Sequence, residues 1–174
     1  MAIVAAVVLA LSAVNALTSG LIAEREAEKG RVARQALIPD ADGFDPVDFA
    51  IPETEAKTIT AVYAAKSGEK ILGYCFDVTA TGFGSDGISM IVAISREGNL
   101  YGVRVISNSE TPGIGAAALE EDGGLLGQYV GVSVLSVDNV AAVSGATITS
   151  KGVAAGVKSA VNLLDQMMRE GAAE

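Results

Sequence analysis

Seven consecutive residues, Ser144-Gly145-Ala146-Thr147-Ile148-Thr149-Ser150, bring four hydroxyls and two small residues into one short stretch. Val153, Val157, Val161 and Leu164 then recur at helical spacing toward Met168, which predicts a long amphipathic helix. The apolar run Val140 to Val143 before the hydroxyls reads as a short strand. Strand, tight turn and helix in this order make a phosphate-binding arrangement. The first N–H groups of a helix have no partner within it, the helix dipole adds partial positive charge, and Gly145 and Ala146 allow close approach. The same residues also suit a simpler purpose, with Thr147, Thr149 or Ser150 capping the helix.

The rest of the composition limits what chemistry that turn can serve. The chain of 174 residues has no histidine and one cysteine, Cys75. An imidazole base, a histidine haem ligand, the usual zinc site and a Cys-held iron–sulfur cluster are therefore all excluded. No metal-ligating set and no self-sufficient catalytic set is visible, so electron transfer by this chain requires an organic cofactor. Cys75 has no disulfide partner and reads as a small buried hydrophobe. A net charge of −9 without a basic patch argues against nucleic-acid binding.

Several elements must hold the turn in place. Residues Ala2 to Ala23 carry no charge, and 22 helical residues span about 33 Å, enough for a bilayer core. Residues 1–23 are therefore expected to form a transmembrane anchor in contact with lipid. Ser12, Ala16 and Gly20, with Asn15 and Ser19 beside them, give it a face suited to a neighbouring membrane helix. Residues 24–43 read as a helical stalk, with Glu24 to Leu37 helical and Pro39 to Gly43 ending it. Residues 44–174 read as one domain, in which Phe44 to Ala56 is a connecting loop. Thr58 to Ala65 and Lys70 to Val78 form a hairpin around Ser67-Gly68-Glu69. Ile88 to Ser95 and Leu100 to Ser107 form a second around Arg96-Glu97-Gly98-Asn99. The fold class is α+β, an antiparallel sheet covered by helices.

A second constellation, Glu110-Thr111-Pro112-Gly113-Ile114-Gly115, directly follows the last of these strands, and Pro-Gly predicts a type II turn there. On its own it is a tight turn with an acidic cap for a helix at Ala116 to Leu119. Ser-Gly-Ala-Thr followed by Thr-Ser, together with Glu-Thr-Pro-Gly-Ile-Gly, resembles the FMN-binding domain of the RnfG and NqrC family, in which Leu replaces Ile114. These are the flavin subunits of Rnf and Na⁺-translocating NADH:quinone reductase complexes. Val14-Asn15-Ala16-Leu17-Thr18, Gly73-Tyr74 and Gly82-Phe83-Gly84 extend the resemblance, although the last departs from the family's Gly-Tyr-Gly. Taken singly, Tyr74 and Phe83 read as core aromatics.

The resemblance implies FMN esterified through its phosphate to Thr147, with Ser144, Gly145, Ala146, Thr149 and Ser150 around the attachment point. It further implies that Glu110, Thr111, Gly113 and Gly115 lie against the flavin, with Ile114 as an apolar wall. A threonine hydroxyl is a poor nucleophile without a base, and near the motif the sequence offers only Lys151. Attachment is thus expected to need a separate flavin transferase. The implied function is electron relay within a membrane-bound, ion-translocating ferredoxin:NAD⁺ oxidoreductase, in company with its other subunits. Arg25, Lys29, Arg31 and Arg34 follow the anchor, and the positive-inside rule places that side in the cytoplasm. The family topology places the FMN domain on the outer side of the membrane, and the expectation follows the family. The alternatives are an NqrC-type subunit, for which the chain is short, a membrane-anchored extracellular flavin domain, and a cofactor-free scaffold.

Overall fold

The computed structural model describes residues 25–113, 115–120 and 124–171. The expected anchor, residues 1–23, lies outside them; among the described residues no helix is long and apolar enough to cross a membrane. The chain divides into two compact units, Met1–Val32 and Ala33–Glu174. Residues 25–37 are helical (α1), in agreement with the periodicity. Within the first unit, Arg31 pairs with Glu28 one turn earlier at 2.7 Å, an exposed contact worth little to stability.

The second unit is built on a five-stranded antiparallel meander in the order β1-β2-β3-β4-β5. β2 (Ile59–Ser67), β3 (Lys70–Ala80), β4 (Ile88–Ser95) and β5 (Leu100–Asn108) fall where alternation and turn residues placed them. Gly68 (φ +60°) and Gly98 (φ +82°) occupy the two hairpin turns in the left-handed region, which a residue with a Cβ rarely enters. Successive strand residues point to opposite faces. Tyr74, Phe76, Val78 and Ala80 of β3, with Ile88, Met90, Val92 and Ile94 of β4, enter the larger core, while Cys75, Ile91 and Ala93 enter a smaller one on the other face.

The segment expected as loop from Phe44 contains a strand instead. β1 (Gly43–Pro46) pairs antiparallel with β2, Phe44 opposite Ala65. Pro46 closes an edge strand, where a missing N–H breaks no inner ladder. Ile38 and Ala41 just before β1 are buried against the smaller core, so this stretch covers a face of the sheet. Arg34 lies there too, paired with Asp77 at 2.5 Å and stacked 3.7 Å from the ring centre of Tyr63.

A short helix, α2 (Gly115–Ala118), follows β5. The larger core is closed by α3 (Thr147–Arg169), which lays Val153, Val157, Ala160, Leu163, Leu164 and Met167 on the sheet. Leu126, Tyr129 and Val137 join it from two 3₁₀ turns, Leu126–Tyr129 and Val134–Asn139, together with Leu125 just before the first. Glycines set how closely α3 approaches. A Cβ at Gly152 would run into the backbone carbonyl of Thr81, and one at Gly156 into Met90 and Val78.

Val140 to Val143 is not a strand. Three of its backbone groups are taken by side chains: Ala141 exchanges hydrogen bonds of 3.1 and 3.2 Å with the Gln128 amide, and the Val143 N–H donates to Ser150 Oγ at 3.1 Å. The sheet edge nearby is already occupied, since Gly131 and Val132 bond to both backbone groups of Leu100.

Candidate functional site

Three stretches distant in sequence meet at the N-terminal end of α3. They are the loop after β3 at Gly82 to Gly84, the loop after β5 at Glu110 to Gly115, and the turn from Ser144 into the helix. Glu110 ties them together. One carboxylate oxygen accepts from the backbone N–H groups of Phe83 (2.7 Å) and Gly84 (3.0 Å), and the other from the Thr149 hydroxyl (2.5 Å). The side chain is buried, and a Cβ at Gly82 or Gly115 would strike it. Burial pushes the Glu110 pKa up, but the bonds from Thr149, Gly84 and Phe83 together outweigh it and hold the pKa below its ordinary value. The expected acidic cap for the next helix is therefore not what Glu110 provides. That helix, α2, begins with Ala116 N–H donating to the Thr111 carbonyl.

The turn into α3 departs from the expected capping in an informative way. The N-cap is Ala146, and no side chain caps the helix. Thr149 spends its hydroxyl on Glu110, while Ser150 Oγ donates to the Ala146 carbonyl at 2.9 Å and accepts from Val143. Both residues are buried, whereas Ser144, Gly145 and Thr147 are exposed. Gly145, at φ +81°, makes the turn. The N–H groups of Thr147, Ile148 and Thr149 find no partner among the described residues. A 23-residue helix thus presents three open donors and one exposed hydroxyl at its positive end.

These groups border a cavity of about 390 Å³ lined by Phe83, Glu110, Thr111, Gly115, Gly145, Ala146, Thr147, Ile148 and Thr149. That volume is within the range of small-molecule sites. A second hollow of about 420 Å³ lies beside Leu135 and Met168. Volume does not separate the two, but only the first joins a helix N-terminus to a free hydroxyl. Of the residues singled out in the sequence, Glu110, Thr111, Gly115, Gly145, Ala146, Thr147 and Thr149 line this cavity. Ser144, Ser150 and Gly113 do not, and Ile114 lies outside the described residues. Gly113 has φ +78°, as the Pro-Gly turn requires.

Phe83 and Ile148 were not singled out for the site, yet both line the cavity. Tyr74 is a core residue at 1% exposure, but Phe83 is 70% exposed and is no part of the core. The signal was present: an aromatic between two glycines has no strand or helix to carry it inward. The cavity therefore joins anion-binding donors at one end to apolar walls of Phe83, Ile148 and Ala146. That donor set fits a ligand with a phosphate and a flat apolar ring system, which describes FMN.

Comparison with known proteins agrees with this chemistry. The FMN-binding domain family matches residues 82–162, a range that contains all three site-forming stretches. The chain is 31% identical over 160 residues to the G component of the proton-translocating ferredoxin:NAD⁺ oxidoreductase complex of Clostridium ljungdahlii, covering 87% of this chain and 80% of that protein. It is 28% identical over 180 residues to the G component of the Na⁺-translocating ferredoxin:NAD⁺ oxidoreductase complex of Acetobacterium woodii, covering 92% and 86%. The G component of the ion-translocating oxidoreductase complex of Methanosarcina acetivorans is 29% identical over 172 residues, covering 93% and 89%. With a fold, a cavity and a run of identity that coincide, the chain belongs to the family of G components of ion-translocating oxidoreductase complexes and contains an FMN-binding domain.

Proposed function

We propose that this chain carries FMN as a phosphoester on Thr147 and relays electrons between the cofactors of neighbouring subunits in an ion-translocating ferredoxin:NAD⁺ oxidoreductase. The observation that carries this reading is the division of labour among the hydroxyls at the start of α3. Thr149 and Ser150 are buried and engaged, while Thr147 is exposed at the cavity beside three open N–H donors. Those donors and the helix dipole would hold the phosphate. Thr111, Gly115, Gly145 and Ala146 would line the ligand's path, and Ile148 would give the cavity an apolar wall. Bound there, flavin would supply the redox chemistry that a chain without His and with one Cys does not possess.

Attachment requires a partner enzyme on this reading. The fold does bring a carboxylate closer to the motif than the sequence indicated, but Glu110 already accepts three hydrogen bonds and its basicity is lowered. A flavin transferase is thus needed to activate the Thr147 hydroxyl. Residues 1–23 anchor the chain in the membrane, the stalk is shorter than residues 24–43 because Arg34, Ile38 and Ala41 already pack within the sheet unit, and that unit works on the outer side of the membrane. The resemblance to the RnfG and NqrC family and the uncharged run from Ala2 support this topology. The coupling ion is left open, because relatives of nearly equal identity are named for sodium and for protons.

The test is coexpression with a flavin transferase, with flavin fluorescence read from the protein band on a denaturing gel. Wild type is expected to fluoresce and Thr147→Ala to be dark. A dark wild type supports a cofactor-free scaffold, and a fluorescent Thr147→Ala moves the attachment elsewhere.

A further inference from the structure

Phe83 is the one exposed aromatic side chain among the described residues, and it lines the cavity at the head of α3. Its loop is held firmly. Glu110 accepts from the backbone N–H of Phe83 and from that of Gly84, so the peptide on either side of the ring is fixed. A Cβ at Gly84 would strike the Ser109 carbonyl, and the Asp86 N–H donates to Ser109 Oγ at 3.0 Å. The second oxygen of Glu110 fastens the same clamp to Thr149, the third residue of α3. A buried carboxylate therefore sets the spacing between an exposed ring and the open N–H groups of the helix. An apolar ring kept in water by a fixed backbone is a surface prepared for another flat apolar group.

We propose that Phe83 stacks on the isoalloxazine ring of the bound flavin, and that Glu110 is the positioning residue for that contact, acting through the Phe83 backbone and the Thr149 hydroxyl and not as a flavin ligand. The inference rests on the flavin reading above and adds to it which side chain covers the ring and what holds it there. Phe83 is exposed, so its replacement removes no core contact. Glu110→Gln keeps an acceptor for the two N–H groups and an amide that donates to Thr149, whereas Glu110→Ala leaves the loop without its anchor.

The test uses the full chain, coexpressed with a flavin transferase, and reads the fluorescence lifetime of the attached flavin. The chain contains no tryptophan, and none of its tyrosines lines the cavity. An indole in van der Waals contact quenches an excited flavin by donating one electron, which returns as the ground state is restored; a phenyl or alkyl side chain does not. Phe83→Trp is expected to lose most of the long-lived emission, while Phe83→Leu keeps the wild-type lifetime. In the Phe83→Trp background, Glu110→Gln stays quenched and Glu110→Ala recovers the long lifetime. An unquenched Phe83→Trp with flavin attached overturns the stacking assignment. Quenching that persists with Glu110→Ala overturns the positioning role, as does recovery with Glu110→Gln equal to that with Glu110→Ala. Wild type without attached flavin under these conditions refutes the underlying flavin reading instead.

Discussion

Glu110→Ala tests whether one side chain holds the site together, and its cost follows from the geometry. Three hydrogen bonds to a buried carboxylate disappear at once. Each is charge-assisted and worth about 1.5–3 kcal/mol by the usual measure. The N–H groups of Phe83 and Gly84 lie on a half-exposed loop that water reaches once the carboxylate is gone, which recovers much of their share. The hydroxyl of Thr149, a residue 2% exposed, has no such recourse. A net loss of about 3–4 kcal/mol is expected, against about 1 kcal/mol for Glu110→Gln, which keeps the bonds and loses the charge. Thr149→Val, which leaves one carboxylate oxygen unpaired, is expected to cost about 1–3 kcal/mol. Combined with Glu110→Ala it should cost about 1–2 kcal/mol less than the sum of the single changes, because both remove the same bond. Urea denaturation of each variant in detergent, followed by circular dichroism, gives these differences. A Glu110→Ala loss below about 1 kcal/mol, or strict additivity with Thr149→Val, refutes the role given to Glu110.

The same carboxylate carries a pH signature. Its folded pKa is held below the ordinary value, so the stability it contributes is present above the unfolded pKa and drains away as pH falls through the folded one. The stability gap between wild type and Glu110→Gln should therefore be constant at neutral pH and shrink in acid; a gap that widens on acidification contradicts this sign. Gly152→Ala and Gly156→Ala should separate, although alanine improves helix propensity by about 1 kcal/mol at both. The new methyl at Gly152 meets a backbone carbonyl that does not yield, giving a net loss of about 1–3 kcal/mol. At Gly156 the methyl meets side chains, the flexible end of Met90 and a methyl of Val78, rather than a backbone carbonyl, so the loss should be smaller; denaturation midpoints in the opposite order would disprove this packing. Cys75 is fully buried, and burial pushes its thiol pKa up to about 12. A maleimide should leave it unmodified in the native protein and label it in denaturant; rapid native labelling would contradict the core described here.

The parts legible in the sequence were those governed by short-range periodicity. β2 to β5 announced themselves by alternation and by Gly at the turns, and α3 by its apolar stripe. β1 was obscured because Pro46 and the acidic residues around it describe an edge strand and a loop equally well. Val140 to Val143 looked like a strand because apolar β-branched residues suit one, but its backbone bonds go to Gln128, Val137, Ala146 and Ser150 instead of to a strand. The site shows the same division. Thr147 and Glu110 were found from local motifs, and both line the cavity. The bonds from Glu110 join residues 27 and 39 positions away, a pairing that no local pattern encodes. Phe83 reads as a core aromatic by residue type alone, and the glycines on either side of it are the local sign that it stays at the surface.

The most direct test of the account is the mass of the peptide that contains Thr147, taken from the full chain after coexpression with a flavin transferase. An increment equal to FMN less one water is expected, borne by Thr147 and by neither Thr149 nor Ser150, and abolished in Thr147→Ala. An unmodified peptide, or the same increment on another residue, would contradict it.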